Sequence, residues 1–325
     1  MSTTDPCFDK QDGMLSVDQA IEQLLSRATA LTEQERVDLH AGAGRVLAED
    51  LASPIDVPGF DNSAMDGYAL HSRDIATARD AGLPVTQRIT AGAVEVSRRL
   101  RVAVFSTGDE LVEPGKPLAP GQIYNSNRYQ LNALLAAQGC EVIDLGSIAD
   151  DFGTTRETLL QAASQADLVM TTGGVSVGEE DHVKAALESV GALHLWRIRM
   201  KPGKPLAFGR IGDTPFIGLP GNPVSVFVTF LLFARPYLQA MQGRADTGPR
   251  RYPVRAGFDY RAKQRREYMR VRLHTDQDGM PVAETFPRQG SDVLSSVAWA
   301  DGLAEITEES SVQAGEAVSF LPFAE

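Results

Sequence analysis

Apolar residues recur at helical spacing soon after a polar start: Val17, Ile21, Leu24 and Leu25 make one stripe. Ser16 precedes it as a cap and Gln19 occupies the third position of a capping box, so a helix is predicted there. Thr32 and Glu35 repeat the pattern and predict a short second helix. Between Ser53 and Leu70 (SPIDVPGFDNSAMDGYAL) neither helix nor strand period holds, so this stretch reads as loop with a short strand at its end. Arg73 to Gly82 fits a short helix. Leu83 to Leu100 alternates only weakly and is too short to close a domain.

From Arg101 the pattern sharpens. RVAVFS predicts a strand. Asn127 to Gly139 predicts a helix, with Leu131, Leu134 and Leu135 on one face and Gly139 placed to stop it. CEVIDLG is a strand, Thr154 to Gln165 a helix, DLVMTT a strand and Asp181 to Val190 a helix. LHLWRI, LAFGRI and PFIGL are three further strands. A helix from Pro223 to about Met241 is apolar nearly all round, which implies deep burial or a subunit interface. Strands alternating with helices indicate an α/β fold with a doubly wound, mainly parallel sheet. After TGPRRYP, short alternating segments (VRAGFDY, EYMRVRL, DGMPVAET, GEAVSFLPF) predict a small all-β domain. The expected division is a tail over 1–14, a helical and extended domain over 15–100, the α/β domain over 101–243 and the C-terminal β domain over 249–325.

Composition narrows the function classes. The 325 residues carry 31 basic and 43 acidic side chains, a formal charge of −12. That argues against general binding of nucleic acid or anionic membrane. One local excess runs the other way: Pro249 to Arg272 holds nine Lys/Arg and two acids. It reads as a solvated β face, with a polyanion or partner surface as the sharper alternative. Two cysteines, Cys7 and Cys140, are too few for a disulfide framework or a structural zinc site. The histidines 40, 71, 182, 194 and 274 show neither metal-ligand spacing nor a catalytic triad. No uninterrupted apolar run approaches the roughly 20 residues that span a bilayer, and the N-terminus lacks a signal-peptide core. A cytoplasmic setting is expected.

Ligands of an open α/β sheet bind beyond the carboxyl ends of its strands. Three glycine-bearing loops fall there: STGDEL (Ser106 to Leu111), TTGGVSVGEED (Thr171 to Asp181) and LPGNP (Leu219 to Pro223). In the last, Asn222 suits an N-cap and Pro223 a first helical residue, so the helix is expected to present free N–H groups to an anion. RIRMKPGKP adds Arg197, Arg199, Lys201 and Lys204. Asp109, Glu110, Asp150, Asp151, Glu179, Glu180 and Asp181 crowd the same edge, and Asp61 and Asp66 stand ready to join them. Carboxylates beside phosphate-type anions suit Mg2+. The residues alone therefore point to a phosphorylated ligand, a divalent cation and a second oxyanion.

Taken together, DVPGFDNSAMDGYA, STGDEL, YNSNR, GSIADD, TTGGVSVGEED, MKPGKPLAFG, LPGNPVS and RREYMRV resemble the molybdopterin molybdenumtransferase family, which includes the E domain of gephyrin. Their order and spacing carry the resemblance, which covers nearly all residues from Leu15 onward. It implies Mg2+-dependent insertion of molybdate into adenylylated molybdopterin with release of AMP. The sulfurs that take up molybdenum belong to the substrate, so no cysteine ligand is required. By motif match, Asp66, Glu110, Asp150, Asp181 and Lys201 take the catalytic positions, and Glu110, Asp150 and Asp181 the metal positions. Ser106, Thr107, Gly108, Asp109, Asn127, Gly173, Gly174, Val175, Ser176, Arg197, Lys204, Pro220, Gly221, Asn222 and Pro223 take the molybdopterin- and phosphate-binding positions. Arg197 stands where lysine is frequent.

The chain departs from the family between Leu83–Ala93 and Val94–Leu111. These flanks are nearly fused, and most of a small β-rich second domain is missing. The resemblance further implies a homodimer, contacts with the upstream adenylyltransferase and with molybdoenzyme maturation factors, and no nucleic-acid or membrane partner. Two other readings stay open: a non-catalytic molybdopterin-binding or scaffolding short form, and a molybdopterin adenylyltransferase. Gly173-Gly174-Val175-Ser176 in place of a GGTG loop favours the transferase.

Overall fold

The structure, a computed structural model, describes residues 14–50, 93–174 and 182–324, apart from the side chain of Leu195. The expected loop at Ser53 to Leu70, the helix at Arg73 to Gly82, and Asp66, Val175, Ser176 and Asp181 lie outside the described residues. Contacts divide the chain into two units, Thr32–Arg98 on its own and Met1–Leu31 together with Arg99–Glu325.

The smaller unit contains a two-stranded antiparallel ribbon, β1 (Gln34–Asp38) with β2 (Ala93–Ser97). The second helix expected from Thr32 and Glu35 is therefore wrong. Val37 faces Val94 across the ribbon and Arg36 faces Glu95. Arg45 pairs with Glu35 and Arg98 with Glu33. The capping letters were present, but a partner strand distant in sequence supplies five residues of ladder, Val94 and Val96 buried on one side, and charge pairs at the ends.

The larger unit begins with α1 (Val17–Leu25), whose capping box forms as expected. Ser16 Oγ accepts from the Gln19 N–H at 3.1 Å and Gln19 Oε1 accepts from the Ser16 N–H at 2.9 Å. Next come β3 (Arg101–Thr107), the short pair β4 (Leu111–Val112) and β5 (Ile123–Tyr124), α2 (Ser126–Ala137), β6 (Glu141–Ile148), α3 (Phe152–Gln165), β7 (Leu168–Thr172) and α4 (His182–Val190). They continue with β8 (Gly191–Arg197), β9 (Met200–Lys201), β10 (Pro205–Ile211) and β11 (Thr214–Leu219). A six-stranded sheet has the order β6-β3-β7-β11-β10-β8, and β10 alone runs against the rest. Val102 and Val104 of β3 pack with α1, α2 and the long helix, whereas Ala103 and Phe105 pack with α3 and α4. Alternate residues thus serve two covered faces, which is the doubly wound, mainly parallel arrangement expected.

The long helix α5 (Pro223–Met241) contains a π turn at Phe230–Ala234. It is long and apolar enough to cross a bilayer, yet 94% of its most apolar window is buried inside the protein. Its residues share one core with Leu24, Leu135 and Met170 on one side and with Tyr268, Leu303 and Leu321 of the C-terminal domain on the other. Cover from both sides explains an apolar surface all round.

The C-terminal domain holds β12 (Tyr252–Ala256), β13 (Tyr260–Arg261), β14 (Arg266–Thr275), β15 (Pro281–Thr285), a short helix α6 (Ser295–Trp299), β16 (Gly302–Ile306), β17 (Ser311–Val312) and β18 (Ala317–Pro322). One turn of helix thus interrupts a domain expected to be all-β. Its main sheet runs β15-β12-β18-β16-β14-β9. The last strand is borrowed: β9 lies between β8 and β10 in sequence but pairs in parallel with β14. The basic segment is largely engaged. Arg251 pairs with Glu305, Arg255 with Asp276, and Arg266 with Asp18, Glu305 and Glu308, while Arg272 lies over the Trp299 ring.

Candidate functional site

The carboxyl end of β3 is the centre of the arrangement. Ser106 and Thr172, from adjacent strands, share a buried hydroxyl–hydroxyl hydrogen bond at 3.1 Å. One residue on, the Thr107 hydroxyl donates to Asp150 Oδ1 at 2.9 Å. The chain then turns: the Leu111 N–H donates to Gly108 O at 3.0 Å, and Asp109 is exposed in that turn. Gly108 has φ +146°, and a Cβ there would lie 2.7 Å from Glu110 Oε2, so the Glu110 carboxylate folds back over the strand end. Glu110 and Asp150 thus flank the tip of β3. Of the acidic pair at the start of α3, only Asp150 faces this tip. Asp151 is the N-cap, accepting from the Thr154 N–H at 2.9 Å; the Thr154 hydroxyl first, and then this N–H, hold its carboxyl below the usual range.

The loop after β7 closes on the same place. Gly173 and Gly174 both have left-handed backbones, φ +82° and +63°. A Cβ on Gly174 would meet Val183 Cγ2 at 2.4 Å and Thr107 Cγ2 at 2.8 Å. The two glycines let this loop pack directly onto Thr107 and Val183 at the tip of β3. The Gly173 N–H donates to Leu219 O at 3.2 Å, joining this loop to the LPGNP turn. Asn127, in the first turn of α2, reaches the same turn through Nδ2 donating to Gly221 O at 2.6 Å. The Oδ1 of Asn127 and Oε1 of Gln130 are buried acceptors beside it that find no partner among the described residues.

The start of α5 differs from expectation. Its N-terminal amides were read as free for an anion. Pro223 has no N–H, and the Val224 N–H donates to Ser291 O at 3.1 Å. Asn222 makes no side-chain cap; its Nδ2 donates to Ser291 Oγ at 3.2 Å. A loop of the C-terminal domain therefore occupies the helix end. That loop is held by Arg270, which is 1% exposed and donates to Gly290 O and Ser296 Oγ, both at 3.0 Å. Burial pulls its guanidinium down to about 10. Sequence reasoning missed Arg270 and Ser291, because they come from a separate domain and no spacing links them to LPGNP.

The cations occupy a neighbouring position. Arg197 is exposed at the carboxyl end of edge strand β8, four strand spacings from β3, or about 19 Å along the rim. Lys201 lies on β9, where its Nζ is 3.1 Å from Glu267 Oε2. Lys204 is exposed. A Cβ on Gly203 would meet Thr229 Cγ2 at 2.7 Å and Ser225 O at 3.6 Å, so this loop rests on the first two turns of α5. The structure thus gathers Ser106, Thr107, Gly108, Glu110, Asp150, Gly173, Gly174 and the Pro220–Pro223 turn with Asn127. It does not bring Arg197 to this group, and it sets Lys201 against Glu267 of β14. The Tyr260 hydroxyl beside it is raised above its ordinary value, by burial first and then by Glu267.

A third cluster braces the rim. Arg128 makes two bonds to Asp144, at 3.0 and 2.9 Å, and one to Glu113 at 2.8 Å, while the Tyr129 hydroxyl donates to Glu113 at 2.8 Å.

Three family profiles match consecutive parts of the chain: a MoeA N-terminal region (domains I and II) at residues 15–111, a probable molybdopterin binding domain at 103–240, and a MoeA C-terminal region (domain IV) at 253–323. The molybdopterin molybdenumtransferase of Haemophilus influenzae is 34% identical over 399 residues, covering 95% of this chain and 99% of that protein. That alignment is longer than this chain, so the relative carries residues with no counterpart here. The Nostoc sp. protein of the same name is 32% identical over 319 residues, covering 69% and 73%. The crystal structure of the molybdopterin biosynthesis moea protein from Pyrococcus horikosii matches with a TM-score of 0.75 at 25% identity, covering 96% of this chain and all of that one.

Proposed function

Since the chain belongs to the molybdopterin molybdenumtransferase family, transferases of molybdenum cofactor biosynthesis, we propose that it inserts molybdate into adenylylated molybdopterin with Mg2+ and releases AMP. The observation that carries this reading is the convergence of the β3 tip with Glu110 and Asp150, the Gly173-Gly174 turn and the LPGNP turn with Asn127 at one edge of the sheet. Ser106, Thr107, Gly108, Asp109, Asn127, Gly173 to Ser176 and Pro220 to Pro223 are the proposed pterin and phosphate contacts, and Arg197, Lys201 and Lys204 meet the oxyanions.

The donor set suits Mg2+. Glu110 and Asp150 place two hard-oxygen carboxylates on either side of the β3 tip, and Asp181 is the proposed third. Glu110, Asp150 and Asp181 would hold Mg2+, which would supply charge neutralisation for the adenylate phosphates. The protein's own part is positioning: Thr107 orients Asp150, the turns at the strand ends hold the phosphate, and the lysines hold molybdate until the sulfurs take it. Asp66 is proposed as a further catalytic acid. The protein is proposed to act as a cytoplasmic homodimer. It would receive substrate from the adenylyltransferase step and pass cofactor to molybdoenzyme maturation factors.

Purified protein incubated with adenylylated molybdopterin, molybdate and Mg2+ tests the proposal, with AMP release as readout. Molybdate-dependent release is expected. AMP transfer from ATP to molybdopterin would instead make the chain an adenylyltransferase. A second reading, pterin binding without turnover, draws support from the relative's extra residues, and tight pterin binding with no AMP release would favour it.

A further inference from the structure

We propose that Glu267 is a positioning residue for Lys201, supplied by the C-terminal domain to fix one ammonium toward an incoming tetrahedral oxyanion; this rests on the function proposed above. The two residues are partners in register, Glu267 of β14 opposite Lys201 of β9, so the backbone puts both side chains on one face. Lys201 Nζ is 3.1 Å from Glu267 Oε2 and 3.3 Å from Oε1. An ammonium has three N–H donors. One bonds Glu267 Oε1 and a second reaches the Tyr260 hydroxyl, which leaves one for another acceptor.

The pair is lopsided. The Glu267 side chain is 11% exposed and that of Lys201 44%, so the anion is turned inward and the cation outward. Stability is a poor reason for this layout. A half-exposed ion pair contributes little, and desolvating a carboxylate costs free energy. The backbone pairing of β9 with β14 already holds the strands together. What the carboxylate adds is a fixed place for a flexible side chain, whose freedom would otherwise have to be lost when the oxyanion arrives. Gly203, two residues further along the same loop, rests on Ser225 and Thr229 of α5, the helix that follows the LPGNP turn.

The test is a double-mutant cycle read by molybdate-dependent AMP release, with calorimetric titration of molybdate alongside. Lys201→Ala is expected to lower kcat by about a hundredfold and Glu267→Gln by about tenfold. In Glu267→Gln, KM for molybdate should stay within about threefold, because the lysine charge remains and only its placement is lost. The double variant should be no slower than Lys201→Ala, since Glu267 acts through the lysine. Glu267→Asp keeps the charge and should recover part of the rate, and it serves as the measuring variant if Glu267→Gln does not fold.

Glu267→Gln with kcat and KM within about twofold of wild type would overturn the proposal. So would a double variant about tenfold slower than Lys201→Ala, which would mean an effect independent of the lysine. Wild-type rates and molybdate affinity in Lys201→Ala would instead remove the lysine from the site. No molybdate-dependent release by wild type would reject the function itself, and the inference with it.

Discussion

At Gly174 the backbone conformation and the neighbouring atoms both demand hydrogen as the side chain. Gly174→Ala places a methyl at φ +63° against Val183 and Thr107. Together these should destabilise the fold by about 2–4 kcal/mol. Urea unfolding checks this; a midpoint within about 0.2 M of wild type would contradict it. Arg128 carries a second prediction. The Tyr129 hydroxyl, and after it Arg128, holds the Glu113 carboxyl below its usual range. At Asp144 burial alone would raise the value, but Arg128, the Gly146 N–H and Asn132 outweigh it, and the net shift is downward. A depressed carboxylate contributes stability that is fully present above its unfolded value, near 4, and is lost as pH falls through the folded value. Arg128→Met should therefore flatten the dependence of stability on pH between about 3 and 5. Unfolding midpoints across that window, wild type against variant, decide it; parallel curves would count against the role given to Arg128.

Among the elements, two helix starts built from similar letters behave differently. Ser16 caps α1 with its own hydroxyl, whereas Asn222 gives its amide to Ser291 and leaves α5 uncapped by side chain. Ser16→Ala should cost about 1 kcal/mol, and Asn222→Ala under about 0.5 kcal/mol. Thermal unfolding of the two variants in parallel gives the comparison, and equal losses would contradict it. The same contrast explains what could be read in advance. The α1 capping box, the β3 and β7 apolar runs and the Gly139 stop are local, so spacing alone finds them. Thr32 and Glu35 spell a cap as clearly as Ser16 and Gln19 do, yet Val94 and Val96 turn that segment into a strand. Nothing around Met200 and Lys201 spells a strand, because the partner lies on β14, in another domain. At the rim, the glycine loops were legible because their composition is unusual. The Ser291 and Glu267 contacts were not, because they depend on how two domains meet.

At the scale of the larger unit, one apolar core runs from Leu24 of α1 through Phe230 and Leu232 of α5 to Leu303 and Leu321 of the C-terminal domain. Arg266 adds a polar link by bonding Asp18 in the first turn of α1 at 3.1 and 3.0 Å. Segments that share a core lose it together. Differential scanning calorimetry should therefore show the α/β sheet and the C-terminal domain melting in a single transition; two resolved peaks assigned to residues 99–243 and 249–325 would refute this. The borrowed strand β9 carries that dependence into evolution and engineering. A chimera that grafts a relative's final domain at the 243–249 junction would leave Met200 and Lys201 facing a foreign β14. Exchange between relatives should succeed only when both pieces travel together, so the heritable module here is discontinuous in sequence.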